Sequence, residues 1–225
     1  MLAPIHSFDA IILDFDGVIL DSEPIHFEAY CTILRDMDIH LTYEGYKKSY
    51  LGLSDKDLFP KILNDFNLRG INIDELTHRK SSQYSYILSE KNNLSPTSGL
   101  TTFLNSLSST QRLAICSGAT YVEITSALQK LKYFLNPFTF KHIITAENVA
   151  AGKPSPEGYL LTAQMLNISP ERCLVIEDSP HGIHAAKCAG MTVVALLTTH
   201  SASQLQEADY VTTDFTTLLS ECYYD

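Results

Sequence analysis

Ala10-Ile-Ile-Leu-Asp-Phe-Asp-Gly-Val18 is a short apolar run that delivers two carboxylates, Asp14 and Asp16, to a glycine turn. Residues two apart on an extended strand share a face, so a strand over residues 11–15 aims both acids at one point where the strand ends. Two like charges held that close are costly unless a cation sits between them, and a divalent metal is the natural candidate. The same letters also fit an ordinary buried strand closed by an Asp-Gly turn. The rest of the chain has to decide.

The chain has 225 residues, 45% of them hydrophobic, enough for one well-packed domain with a sizeable insertion or for two small domains. A formal net charge of -10 argues against nucleic acid or an anionic membrane as partner, and any anionic substrate needs local help from lysines and metal. Cys31, Cys116, Cys173, Cys188 and Cys222 are odd in number, widely spaced and form no C-x-x-C, so they offer neither a disulfide framework nor a zinc site. Cys116 and Cys173 fall in apolar runs, where a small buried thiol is expected. Residues 1–9 lack the basic start and apolar segment of a signal peptide, and no later run approaches the roughly 18 apolar residues of a membrane span. The expectation is a soluble cytoplasmic protein, monomeric or weakly dimeric.

Asp21-Ser-Glu-Pro24 reads as a helix start, with proline in the first turn, and Ile25, Ala29, Ile33 and Leu34 recur at helical spacing to about residue 37. Further helices are predicted over 43–50, from Ser54 as cap to about 66 with a disturbance at Pro60, and from Asn72 to about 90. Helices directly after one strand read as an inserted bundle. Beyond the loop at 94–99, helices over 100–107, 121–132, 156–166 and 182–189 alternate with strands over 113–116, 142–145, 173–176 and 192–197. That alternation means an α/β fold with a Rossmann-like, doubly wound parallel sheet. Its core is residues 1–19 and 96–225, with a four-helix-type α-helical cap inserted at 20–95.

Such a sheet binds ligands outside the carboxyl ends of its strands. Asp14 and Asp16 follow the first strand, Ser117 and Gly118 the second, Lys153 lies in the loop after the third, and Glu177 and Asp178 follow the fourth. Taken singly, Ser117, Glu177 and Asp178 could cap helices and Lys153 could be a solvated loop charge. Their convergence at one edge is the stronger signal. His181-x-x-His184 has the spacing of a helix-face metal pair but no third ligand, and Tyr84 and Tyr86 read as helix packing.

In order, Asp14-Phe-Asp16-Gly, Ser117, Lys153 before Pro154 and Glu177-Asp178 resemble the four motifs of the haloacid dehalogenase superfamily of phosphotransferases. Residues 14–26 and 175–186 look like its β-phosphoglucomutase-like branch, with a helical cap inserted after the first motif. The resemblance implies that Asp14 attacks phosphorus and forms an aspartyl phosphate. It implies Mg2+ held by Asp14, the Asp16 backbone carbonyl and Asp178, with Glu177 supporting directly or through a water. Lys153 and the Ser117 hydroxyl, with the Gly118 loop and nearby backbone N–H groups, would bind phosphoryl oxygens. Asp16 would protonate the leaving alcohol and then deprotonate water, and because the dehalogenase branch lacks an aspartate there, its presence argues against carbon–halogen cleavage.

The resemblance also places His26 beside the general acid and Lys80 as a cap lysine reaching the substrate, although His26 could be a satisfied helix histidine and Lys80 a surface charge. A true β-phosphoglucomutase grips the second phosphate with an arginine after Gly-x-Ser, whereas Gly52-Leu-Ser54 is followed here by Asp55, whose carboxylate repels one. Lys56 partly compensates. The expectation is therefore a Mg2+-dependent phosphatase acting on a small phosphorylated metabolite, a sugar or polyol monophosphate. A phosphosugar mutase, and a catalytically idle binding or regulatory protein, are the alternatives.

Overall fold

The structure is a computed structural model that describes residues 4–135 and 140–222, the Cys222 side chain excepted; the Cys222 thiol and residues 1–3 of the segment judged for a signal peptide therefore lie outside the described residues. Six strands, β1 (Ala10–Leu13), β2 (Arg112–Cys116), β3 (Phe140–Ile144), β4 (Cys173–Glu177), β5 (Thr192–Leu196) and β6 (Tyr210–Thr212), form one parallel sheet in the order β3-β2-β1-β4-β5-β6. β1 is central because all its residues are apolar and none touches solvent, the pattern of a strand covered on both faces. Period-two alternation splits it between layers: Ala10 and Ile12 pack with Ala114, Val175 and Val193, while Ile11 and Leu13 pack with Ile115, Ile176 and Val194.

Between residues 23 and 90 the regular elements are all helices, α1 (Glu23–Leu34), α2 (Tyr43–Ser49), α3 (Asp55–Asp65) and α4 (Ile73–Glu90), with a single 3-10 turn at Arg35–Met37. The helices that accompany the strands are α5 (Leu100–Ser106), α6 (Tyr121–Lys130), α7 (Lys132–Leu135), α8 (Glu157–Leu166), α9 (Pro180–Cys188) and α10 (Phe215–Cys222). A separate apolar cluster gathers Tyr30, Ile33, Leu34, Tyr46, Leu58, Phe59, Ile62 and Leu76 from the inserted helices. α1 and α4 serve both bodies, since Ile25, Ala29, Tyr84, Ile87 and Leu88 belong to the sheet's core. No described helix is long and apolar enough to cross a membrane.

Several local expectations are corrected. β1 stops at Leu13, so Asp14 and Asp16 do not share a strand face; they ride a turn that Gly17 closes at a φ of 75°, where a side chain would be strained. Ser54 precedes α3 without capping it, because its hydroxyl donates to the Asp57 carboxylate at 2.6 Å. Tyr84 is buried as packing requires, but Tyr86 is 62% exposed. β6 and α10 were not predicted at all.

Candidate active site

The centre of the carboxyl edge is a lysine shared by acids from two strands. The Asp14 N–H donates to the Ile176 carbonyl at 3.0 Å, which carries the β1–β4 ladder one residue past β1 and points Asp14 at the edge. From the loop between β3 and α8, the Lys153 ammonium donates to Asp14 Oδ1 at 2.8 Å, to Glu177 Oε1 at 2.6 Å and to the Cys116 carbonyl at 3.1 Å. Glu177 is saturated: Tyr159 donates to Oε1 at 2.8 Å, and the N–H groups of Asp178 and Ser179 with the Ser179 hydroxyl fill Oε2 at 2.9–3.0 Å. A Cβ on Gly182 would overlap this carboxylate, so the first turn of α9 needs glycine to let Glu177 sit there.

Asp178 accepts from the Thr199 hydroxyl and, at 3.3 Å, from that of Thr198. Gly17 lies so close that a Cβ there would overlap its carboxylate. Carboxylate oxygens of Asp14, Glu177 and Asp178 lie within 4.8 Å of one another, all three residues buried. Burial, with Glu177 and Asp16 nearby, pushes the Asp14 carboxyl up to about 7 against the pull of Lys153. Burial, then Glu177 and Asp14, also raises Asp178. Glu177 is lowered, because Lys153 and its other donors overcome burial. Three buried acids facing one lysine leave surplus negative charge among oxygen donors, a set that fits a hard divalent cation. No described hydrogen bond reaches Asp14 Oδ2 or Asp178 Oδ1, so these are the oxygens best placed to hold it.

Asp16 is turned away from that cluster. Its Oδ1 accepts from the Ser22 hydroxyl and contacts His26 Nε2 at 2.9 Å, so its carboxylate is not part of the metal-type group and only its backbone remains for that role. His26 is buried and stacked on Tyr84, with ring centroids 4.4 Å apart. Burial and Lys80 disfavour a charged His26, yet the Asp16 carboxylate prevails and raises its pKa. Asp16 is correspondingly lowered, since His26 and Ser22 outweigh its own desolvation. Ser117 is buried, accepts the Ala119 N–H at 3.1 Å, and with Gly118 lines a cavity of about 100 Å³ shared by Asp14, Asp16, His26, Lys80, Lys153 and Asp178.

Lys80 is at this cavity but is no surface charge: it is 2% exposed, and its ammonium lies 3.1 Å from Asp55 Oδ1 and 2.9 Å from Glu123 Oε1. Lys56 donates to the Ala146 carbonyl at 3.0 Å and borders a larger adjoining cavity of about 520 Å³. Sequence reasoning missed Thr198, Thr199, Tyr159, Ser22 and Glu123. Thr198 and Thr199 carried a usable signal, a polar run directly after a buried strand; the others did not. His184 sits on an exposed surface against Glu207 at 3.0 Å, away from the acids.

A parallel sheet whose carboxyl edge gathers acids, a lysine and a buried oxygen set for a cation has the layout of an α/β enzyme with its chemistry at the strand ends. The sequence profile of the haloacid dehalogenase-like hydrolases matches residues 11–196, and the chain belongs to that family. A phosphorylated carbohydrates phosphatase from Thermotoga maritima is 30% identical over 184 residues, covering 81% of this chain and 82% of its own. A β-phosphoglucomutase from Bacillus subtilis is 29% identical over 191 residues, covering 83% and 82%. Among solved structures, CbbY from Rhodobacter sphaeroides in complex with phosphate superposes with a TM-score of 0.82 over 94% of this chain and 96% of its own, at 23% identity, which establishes the shared fold.

Proposed function

We propose that this hydrolase is a Mg2+-dependent phosphatase of sugar or polyol monophosphates that works through an aspartyl phosphate on Asp14. The observation that carries the reading is Lys153 bridging Asp14 and Glu177 beside Asp178 at the sheet edge. The activities named for the Thermotoga relative and for a fructose-1-phosphate phosphatase of Escherichia coli support it. Residues 20–95 act as the cap that covers the core formed by 1–19 and 96–225.

Asp14 attacks phosphorus through a carboxylate oxygen as the bond to the substrate oxygen breaks. Lys153, the Ser117 hydroxyl and the backbone around Gly118 hold the phosphoryl oxygens. Mg2+ held by Asp14, Asp178 and the Asp16 carbonyl would screen the repulsion between carboxylate and phosphate. The leaving alkoxide takes a proton from the Asp16–His26 pair, delivered by Asp16. Water then returns a proton to Asp16 and attacks phosphorus, the bond to Asp14 breaks, and phosphate leaves. Glu177 touches no reactant; it positions Lys153.

Phosphate release from a panel of sugar and polyol phosphates, with and without Mg2+, tests the reading. Wild type is expected to release phosphate with Mg2+, and Asp14→Asn to lose about 10³-fold or more. Release by Asp14→Asn at near wild-type rate contradicts it, and isomerisation of β-glucose 1-phosphate without release makes the protein a mutase.

A further inference from the structure

His184 is the half of the His181-x-x-His184 spacing that the catalytic site leaves unused, and its partners are not the ones that spacing suggests. His181 lines the larger cavity beside Lys153, whereas the Cys188 thiol, one turn of α9 past His184 on the same face, lies 3.3 Å from His184 Nε2. On the other edge of the ring, Nδ1 faces both Glu207 oxygens, at 3.0 and 3.1 Å. An ionised carboxylate only accepts, so Nδ1 carries the ring proton and Nε2 presents a lone pair to the sulfur. Glu207 is held in place by its neighbours. Leu205 is wholly buried, and Asp209 is tied to β5 twice, its N–H donating to the Val193 carbonyl at 3.0 Å and its Oδ2 accepting the Val193 N–H at 2.8 Å.

Nitrogen and sulfur donors one turn apart on a helix form a chelating pair for a borderline or soft divalent cation, and sulfur is a poor ligand for Mg2+. An ion bonded to sulfur at about 2.3 Å and to nitrogen at about 2.0 Å, at the tetrahedral angle, holds the two atoms about 3.5 Å apart. The pair therefore needs to open by only about 0.2 Å. The ion takes the place of the thiol proton, which leaves to water. A carboxylate on the far nitrogen is the partner that orients a metal-binding histidine and makes it a better donor. The surroundings favour positive charge as well: Cys188 ends α9, at the negative end of the helix dipole, and the charge of Lys187 is met by Asp209 at 2.6 Å. All three side chains reach solvent, so the ion enters freely and water fills its remaining positions. Counting cysteines against one another misses this arrangement, because the second ligand is a histidine of the same helix.

We propose that His184 and Cys188 form a second metal site, for a thiophilic divalent cation of the zinc class, with Glu207 as the residue that positions His184. The site differs in kind from the all-oxygen set at the sheet edge, and it stands whether or not the phosphatase reading does.

The test is a Co2+ titration of the full-length, reduced protein in excess Mg2+, which competes for the oxygen set; a thiolate ligand on Co2+ shows itself by charge-transfer absorption in the near ultraviolet. Wild type is expected to develop the band with one equivalent of Co2+, and Cys188→Ser to lack it while releasing phosphate as wild type does. Glu207→Gln should keep the band with affinity about 10- to 100-fold weaker, and His184→Gln should weaken binding at least as much. A melting temperature that rises with Co2+ in wild type and not in Cys188→Ser is the second expected readout. No band in wild type overturns the proposal whether or not any variant folds. A band that survives Cys188→Ser belongs to another thiol, and a titration unchanged in folded His184→Gln is a thiol binding alone; either result overturns it. Unchanged affinity in folded Glu207→Gln overturns the positioning role of Glu207.

Discussion

His26 and Asp16 form a contact of 2.9 Å whose proton is central to the proposed chemistry. His26 faces Asp16, Glu23 and Glu123 as acids, Lys80 as a cation, and the ring of Tyr84. Its pKa is raised, so the pair is protonated below that value and loses the proton as pH rises through it. An alkaline decline in kcat/KM is therefore expected above pH 6.5, the ordinary histidine value. His26→Gln should lower kcat about 10²-fold and abolish this limb; pH–rate profiles of both proteins check it. For stability the raised histidine contributes fully below 6.5 and the lowered aspartate fully above 3.8. The difference in stability between wild type and His26→Gln should be greatest between those values and fade above the raised His26 pKa. Asp14, Lys153 and Asp178 were legible because each residue type and its strand-end position point to the same chemistry. Asp55 was legible only as an acid standing where a mutase carries arginine, and Glu123 not at all, because an acid in the first turn of a helix looks like dipole compensation, and only the folded chain shows the two of them on one lysine.

At the scale of elements, β4 and α9 meet at a point with no spare room. Gly182 sits where any Cβ overlaps the Glu177 carboxylate. Gly182→Ala should cost about 1–3 kcal/mol of stability, the usual range for overpacking. It should also lower kcat, since Glu177 shifts and carries Lys153 with it. Thermal unfolding and turnover of the one variant check both, and a stable variant with intact kcat would contradict the positioning role of Glu177. β1, β2 and β4 were readable as short, largely apolar runs bounded by polar turns, whereas β3 (Phe140–Ile144) carries Lys141 and His142 and starts two residues before the stretch read as strand. β6 was not, because Tyr210–Thr212 has three residues, partly exposed at the sheet margin, and too few alternations to register. The reading of β1 ran two residues past its end because alternating apolar and acidic letters continue past the last ladder pair, while the backbone has already entered the Gly17 turn.

At the scale of the molecule, two apolar bodies are joined through α1 and α4. Phe59 lies wholly inside the body made by the inserted helices, against Tyr30 at a centroid distance of 5.7 Å. Phe59→Ala should cost about 3–5 kcal/mol, read by chemical denaturation, and should reduce turnover of sugar phosphates more than of p-nitrophenyl phosphate. The insertion was legible as helices between the first two strands; its double anchoring was not, because one amphipathic period cannot say which faces of α1 and α4 meet the sheet and which meet α3. The central claim is covalent chemistry at Asp14, and the most direct measurement is to trap it. Enzyme mixed with a sugar phosphate and Mg2+ is quenched in acid during turnover, reduced with borohydride and mapped by mass spectrometry. The account predicts homoserine at position 14, the product of reducing an aspartyl phosphate, and none when Mg2+ is chelated or substrate withheld. Steady phosphate release with position 14 recovered only as aspartate would contradict it.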